Sequence, residues 1–208
     1  MSEIPGGEER VEMLEKSTPY RGYFQMDLYR LRHHKFDGGW TAPMSREVFE
    51  RGDAAAVLLY DPDRDTVVLI EQFRIGAYAA GTEPWLIEVV AGIIEPGEDA
   101  AEVVRREAVE EAGRQIRDLV TIGTFLMTPG GSSETVAMFC GRVDSEGAGG
   151  IHGLDLEGED IRVFAVPAED ALDRVLAQER PNAITVITLQ WLLLNRADLR
   201  KRWARAAP

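Results

Sequence analysis

The sequence predicts a mixed-sheet α/β fold, and three observations carry that reading. Short apolar runs with strand character follow Gly52, a single well-marked helix interrupts them at about residue 100, and further strands lead into two closing helices. Strands, one central helix, more strands and then packing helices are the order of a sheet that buries its faces against helices.

The elements follow in chain order. From Tyr23 to Phe36 apolar and polar residues roughly alternate (Phe24, Met26, Leu28, then Leu31), ending at the turn signal Asp37-Gly38-Gly39. A second extended segment is expected from Trp40 to Phe49. Strands this poor in core residues need something to pair with, so residues 1–50 are set apart from a main domain at 51–208. In that domain Ala54–Tyr60 and Thr66–Phe73 read as a hairpin around Asp61-Pro62-Asp63-Arg64-Asp65, and Trp85–Val90 reads as a strand. The central helix is signalled at both ends. Asp99 can cap it, Glu102 stands in capping-box position, and Gly113 stops it. Its apolar face is Ala100, Ala101, Val104, Ala108 and Ala112. Strands are expected near Ile116–Leu126, Thr135–Val143 and Ile161–Val166. Gly147-Ala148-Gly149-Gly150 reads as a flexible joint into the acidic loop Asp155–Asp160. Two helices, Ala168–Gln178 and Ala183 to about Trp203, end the chain, the second presenting Leu189, Leu192 and Leu193.

Composition excludes several functions. The 208 residues are 45% apolar, enough for one globular domain with a small appendage. A formal charge of −13 argues against nucleic acid, whose binding needs Lys and Arg on the phosphates. Cys140 lies in the apolar run Val136–Cys140 and reads as a reduced core thiol, which fits a cytoplasmic protein. Met1–Ser17 is acidic with no apolar signal stretch, and no apolar run is long enough for a bilayer, so no membrane partner is expected.

The chemistry gathers around Gly92-Ile93-Ile94-Glu95-Pro96-Gly97-Glu98 and Arg106-Glu107-Ala108-Val109-Glu110-Glu111-Ala112-Gly113. On a helix, Glu107 lies one turn from both Glu110 and Glu111, so like charges crowd one face. A cation would relieve the repulsion, and Mg²⁺ favours carboxylate and water oxygens. Three histidines and one cysteine leave a zinc site almost no ligands. The plain alternative is a solvated face paired to Arg105, Arg106 and Arg114.

The complete pattern decides between them. Gly92, five residues, Glu98, seven residues, then Arg106-Glu107-x-x-Glu110-Glu111-x-Gly113 matches the Nudix box at every invariant position. It departs only at Arg114, where the family usually has an apolar residue that packs the helix end. The chain resembles the bacterial ADP-ribose pyrophosphatase subfamily of Nudix hydrolases, through Glu71-Gln72-Phe73-Arg74, Pro84–Glu88, Thr128–Glu134, Ile151-His152-Gly153-Leu154 and Glu159–Val163. The likeness runs from about Tyr20 to Trp203.

That resemblance implies a Nudix α/β/α sandwich and hydrolysis of ADP-ribose to AMP and ribose 5-phosphate. It implies two or three Mg²⁺ ions per site, with Mn²⁺ a possible substitute, held by the Ala91 carbonyl, Glu107, Glu111 and Glu159. The catalytic base falls on Glu157; taken without the family, its loop is a solvated acidic turn. Arg74 falls on the diphosphate-binding arginine, although a pair with Glu71 or Glu88 is the alternative. Thr128, Pro129, Gly130 and Glu134 fall on terminal-ribose contacts, Pro129 being the feature linked to ADP-ribose preference, and Ile93 on a further substrate contact. Tyr23, Phe24, Arg46 and Glu47 fall around the adenine, the last two reaching in from a partner chain. Residues 1–50 then serve a domain-swapped homodimer with shared active sites. Two other readings stay open: a GDP-mannose or broader nucleotide-sugar pyrophosphatase, and a non-catalytic Nudix-like ligand sensor. A sensor tends to lose box glutamates and to carry a DNA-binding module, and neither is seen.

Overall fold

The computed structural model describes residues 10–154, 156 and 158–204. The chain divides into two compact units, Met1–Gly52 with Leu126–Thr135, and Asp53–Phe125 with Val136–Pro208. The first therefore extends two residues past the expected boundary and takes in a distant loop.

In the first unit, β1 (Val11–Arg21), β2 (Gln25–His33) and β3 (Met44–Glu50) form an antiparallel three-stranded sheet in that order. β1 lies in a stretch for which no strand was expected. Its polar composition gives no period-2 stripe, because most of its side chains are exposed. Register shifts at Met13/Glu15 and Ser17/Tyr20 break the alternation further. The expected strand at 23–36 shrinks to β2, since Gly22 N–H turns back onto Phe24 O at 2.8 Å. Likewise the segment expected from Trp40 becomes strand only at Met44. Trp40 makes an isolated bridge to His34, and Pro43 cannot donate to a ladder. The Leu126–Thr135 loop joins this unit through Phe49 N–H to Gly131 O (2.8 Å) and Ser132 Oγ–H to Phe49 O (2.9 Å).

The second unit is built on β4 (Ala54–Asp61) and β5 (Thr66–Phe73), the expected hairpin. β5 leads into a short helix α1 (Ile75–Ala79) that was not foreseen. β6 (Trp85–Glu88) pairs with β5, whereas β7 (Val90–Ile93) pairs with β4. The single strand expected at 85–90 is thus two, with the change of partner at Val89. Its N–H, lost to the ladder there, donates to Thr185 Oγ1 at 3.1 Å. Helix α2 (Ala100–Ala112) follows, then β8 (Asp118–Leu126), β9 (Thr135–Arg142), β10 (Gly149–His152) and β11 (Ile161–Pro167). The sheet order is β10-β11-β5-β4-β9-β8, and the parallel β4–β9 pair makes it mixed. Gly149 and Gly150, expected as a flexible joint, are ladder residues opposite Phe164 and Val163. Helices α3 (Ala171–Leu176) and α4 (Ala183–Ala204) end the description.

Alternation along β4 makes the sandwich. Ala55, Val57 and Leu59 pack with Val103, Val104, Ala108 and Ala112 of α2. The intervening Ala56, Leu58 and Tyr60 are equally buried on the other face, where Tyr60 meets Trp203 of α4 at 6.2 Å between rings. A strand covered on both faces reads as an unbroken apolar run, as Ala54–Tyr60 does. Each large side chain so buried contributes on the order of 1.5–3 kcal/mol. Leu189 and Leu192 of α4 are buried as expected, but Leu193 is exposed, its place on the inner face taken by Thr185 and Thr188.

Candidate functional site

Helix α2 forms where local signals agree. Asp99 Oδ1 accepts from Ala101 N–H (2.9 Å) and Glu102 N–H (3.3 Å), and Gly113 ends the helix at φ 61° in the left-handed region that favours glycine. Ahead of it, Glu98 Oε2 accepts from Glu95 N–H at 2.9 Å and closes the turn after β7. The box therefore places β7, a tight turn and α2 in sequence, with the helix glutamates facing β7.

Glu111 is 3% exposed and accepts one bond, from Ala91 N–H to Oε2 at 3.2 Å. Glu107 lies against Gly92 so closely that an added methyl would stand 2.6 Å from Glu107 Cγ. A larger residue there would have to displace the Glu107 side chain. Arg106 pairs with Glu107 Oε1 (2.8 Å) and Glu110 Oε2 (2.9 Å), so Glu110 is neutralised on the outer face. The solvated alternative holds for Glu110 and fails for Glu111, which has no Lys or Arg within ion-pair distance among the described residues. Arg114, the departure from the box pattern, donates to the carbonyls of Asp144, Glu146 and Gly147 and ties the helix end to the turn before β10.

Burial pushes the Glu111 carboxyl up to about 8, with the Glu107 charge adding to it. Burial likewise pushes Glu107 up to about 7, against the opposing pull of Arg106. Glu159 adds a smaller like-charge contribution to both. Glu159 itself accepts Leu154 N–H at Oε2 (3.0 Å). Glu157, expected as the base, lies outside the described residues.

These carboxyls retain protons in the folded protein at pH values where the unfolded chain has lost them. Their contribution to stability is complete below about 4.5 and is lost as pH rises through about 7 and 8. Melting temperature in EDTA is expected to fall across that window, and added Mg²⁺ to lift its alkaline end. A flat profile in EDTA would mean that the two carboxyls are not desolvated.

Beside this pair lies a cleft of about 350 Å³ lined by Gln72, Phe73, Arg74, Trp85, Gly158, Glu159 and Asp160. Arg74 Nε donates to Glu88 Oε2 at 2.8 Å, and its side chain is 42% exposed. Glu88 is buried; Gln72 Nε2 donates to the same Oε2 (3.3 Å), and Asn182 Nδ2 donates to Oε1 (2.7 Å). The pairing alternative for Arg74 is therefore real, and it goes to Glu88; Glu71 pairs with Arg162. Among the described residues the Nη groups of Arg74 make no hydrogen bond or ion pair, which leaves its fork open to an anion. Glu88, Gln72 and Asn182 were missed as site residues. The available signal was Glu88 itself, a carboxylate in a buried strand position, where charge persists only if paired.

No group of three or more described His, Cys, Asp or Glu side chains gathers to hold an ion unaided. Glu107, Glu111 and Glu159 are therefore not drawn together into a closed ligand set; Mg²⁺ usually takes one or two carboxylates and completes its shell with water and substrate phosphates. Glu107 and Glu111, two desolvated carboxylates one helical turn apart, are oxygen donors suited to a hard divalent cation.

The remaining candidates, Ile93 apart, fall in the first unit. Tyr23 is 85% exposed and meets Phe24 edge-on at 4.8 Å. Phe24 is already packed by Phe49 (5.1 Å) and by the Arg51 guanidinium (5.6 Å). Arg51 also pairs with Glu134 at 3.4 Å. Arg46 and Glu47 are exposed on β3, opposite Tyr29 and Leu28. Thr128 O accepts from Gly131 and Ser132 N–H (2.9 Å each), a turn that presents Pro129 and Gly130 at its tip. Ile93, in the second unit, ends β7 opposite Ala54.

A NUDIX domain family model matches residues 50–198, spanning the sheet, α2 and the cleft. The chain belongs to the Nudix family. Members of that family are generally divalent-metal-dependent hydrolases, in keeping with the carboxylates of α2. Among Nudix relatives it is 49% identical to the ADP-ribose pyrophosphatase of Escherichia coli K12 over 198 residues, 95% of each chain. It is 41% identical to the ADP-ribose pyrophosphatase of Haemophilus influenzae over 99% of this chain and 97% of that one. A GDP-mannose pyrophosphatase of Enterobacter is 37% identical over 89% of this chain and 96% of the relative. The crystal structure of an ADP compounds hydrolase superposes with a TM-score of 0.69 at 21% identity, covering 88% and 94% of the two chains, and supports the fold. No described helix is long and apolar enough to cross a membrane.

For a Nudix site, Gly92 becomes a sharp test. Gly92→Ala is expected to fold, at a cost of about 1–3 kcal/mol of overpacking, yet to lose most activity by displacing Glu107. Wild-type kcat in that variant would show that the Glu107 position is not critical.

Proposed function

We propose that this chain hydrolyses the diphosphate of ADP-ribose to AMP and ribose 5-phosphate, using Mg²⁺. The observation that carries the reading is the pair of buried Glu111 and partly buried Glu107, together with a cleft lined by Glu159 that holds an anchored, half-exposed arginine. The choice of substrate is supported by 49% identity to an ADP-ribose pyrophosphatase against 37% to a GDP-mannose pyrophosphatase.

Glu107, Glu111, Glu159 and the Ala91 carbonyl would hold the cation. When bound, it supplies Lewis acidity toward the diphosphate and toward the attacking water. Arg74, its Nε fixed by Glu88, offers its Nη groups to the phosphate oxygens and stabilises charge on the leaving phosphate. Glu157 takes the proton of the water. Thr128, Pro129, Gly130 and Glu134 select the terminal ribose, Ile93 adds a substrate contact, and Tyr23 and Phe24 with Arg46 and Glu47 hold the adenine. Phe24 supports Tyr23 from behind, since its own ring is packed, while Tyr23 has the free face for stacking. Local cations of this kind reverse the field of an acidic protein where the anion binds, because bulk charge is screened within about 8 Å.

The deciding experiment is product identification. ADP-ribose with Mg²⁺ is expected to yield AMP and ribose 5-phosphate, EDTA to stop it, and kcat/KM to exceed that for GDP-mannose by at least about tenfold, or ~1.4 kcal/mol. Equal rates on both substrates would sink the ADP-ribose assignment.

The reading includes a cytoplasmic homodimer with shared sites. Val11, Met13, Tyr20 and Tyr23 leave large apolar area exposed on the first unit, as a segment that pairs with a second copy would. Complementation tests it. Glu111→Gln and Arg46→Ala, co-expressed, should recover about a quarter of wild-type activity, because half the dimers are mixed and each has one intact site. Activity at the average of the two mutant homodimers would show that each chain completes its own site.

A further inference from the structure

Among the described residues before Glu159, His152 and Gly153 meet the C-terminal end of helix α2. Gly153 N–H donates to Glu110 O at 3.3 Å, one of the last-turn carbonyls that a helix leaves unpaired. The His152 ring lies over Gly113, so that a methyl added there would stand 2.8 Å from Cε1 and 3.3 Å from Nδ1. Its Nε2 donates to Gly149 O at 3.0 Å, which holds the ring from its own strand. That bond fixes Nε2 as the donor nitrogen of the ring.

From this anchor the contacts run on to Glu159. Gly153 adopts φ +100°, and a methyl there would lie 2.7 Å from Glu159 Cβ and 3.3 Å from Ile161 Cγ1. Leu154 N–H donates to Glu159 Oε2 (3.0 Å), and Glu159 N–H returns to Leu154 O (3.3 Å). The path from the C-terminus of α2 to the Glu159 carboxylate is thus continuous: Gly113, His152, Gly153, Leu154, Glu159. It joins the helix that carries Glu107 and Glu111 to a carboxylate far along the chain. A cation shared by such groups requires their spacing to be held to within about 0.5 Å.

We propose that His152, wedged between Gly113 and Gly149, is a positioning residue that sets the spacing between Glu159 and the helix carboxylates Glu107 and Glu111. The inference rests on assigning those three carboxylates to a divalent cation. It adds a residue that touches neither cation nor substrate.

Mn²⁺ is the probe, titrated into full-length protein without substrate and followed by calorimetry and electron paramagnetic resonance. His152→Ala is expected to weaken Mn²⁺ binding about tenfold, the usual effect of losing a group that orients ligands, with melting in EDTA little changed. His152→Gln places an amide donor within reach of Gly149 O and is expected to bind within about twofold of wild type. Should His152→Ala fail to fold, His152→Phe, which keeps ring volume but has no donor, carries the same expected loss. Wild-type affinity in His152→Ala, or in His152→Phe where that variant replaces it, overturns the proposal, as does a Gln variant as weak as the one lacking the donor. Glu111→Gln is the reference: if it too binds Mn²⁺ normally, the carboxylate assignment itself is wrong, whereas a loss confined to Glu111→Gln removes only the role of His152.

Discussion

Replacing Glu111 with glutamine is expected to leave less than about a tenth of wild-type kcat at saturating Mg²⁺, given what Lewis-acid stabilisation normally contributes. The substitution conserves size and helix propensity, and an amide oxygen can still accept Ala91 N–H, whose bond to Glu111 is 3.2 Å. Only the charge is removed. Because burial pushes this carboxyl up to about 8, its ionised form destabilises the cation-free fold, and the glutamine variant should melt higher than wild type in EDTA above that pH. Function and stability thus move in opposite directions, which a merely structural glutamate would not produce. Paired measurements of kcat and of melting in EDTA decide it. A variant that keeps more than a tenth of activity, or melts lower in alkaline EDTA, would remove Glu111 from the cation site.

Glu157→Gln is expected to lower kcat by roughly 10²–10⁴ with little change in KM, the usual contribution of a general base. Glu159→Gln should act differently. Its charge acts on Glu107 and Glu111, so its loss, as that of a proposed cation ligand, should raise the Mg²⁺ concentration for half activity. The two variants are compared in one titration, with kcat and half-saturating Mg²⁺ read separately. Reversed phenotypes would exchange the roles of these neighbouring carboxylates.

Where local chemistry decides conformation, the sequence was readable. Asp99, the alanine stripe and Gly113 specify α2 within a few residues of each other, and the cap bonds form as expected. Ala54–Tyr60 read as a strand by its apolar run, and β4 forms there. Elements stabilised by distant partners were not readable. β1 has no apolar stripe and exists through its ladder with β2. The break at Val89 depends on Thr185, almost a hundred residues away, which accepts the displaced N–H. Gly149 and Gly150 look like a hinge until β11 pairs with them.

The site divides in the same way. The sequence by itself determined the family pattern, the helix and the face on which Glu107 and Glu111 stand, because residues one turn apart on a helix must be neighbours. It also left no cysteine or histidine set for another metal. Only the tertiary structure decided what each charge does there. Glu110 is neutralised by Arg106 while Glu111 is buried without a cation, although both lie within four residues of Arg106 or Glu107. Arg74 is held by Glu88, Phe24 is packed while Tyr23 is free, and Glu159 is tied through His152 to the end of α2. Burial and partner choice arise from chain segments that meet only on folding, and it is they that fix the free energy of a charge.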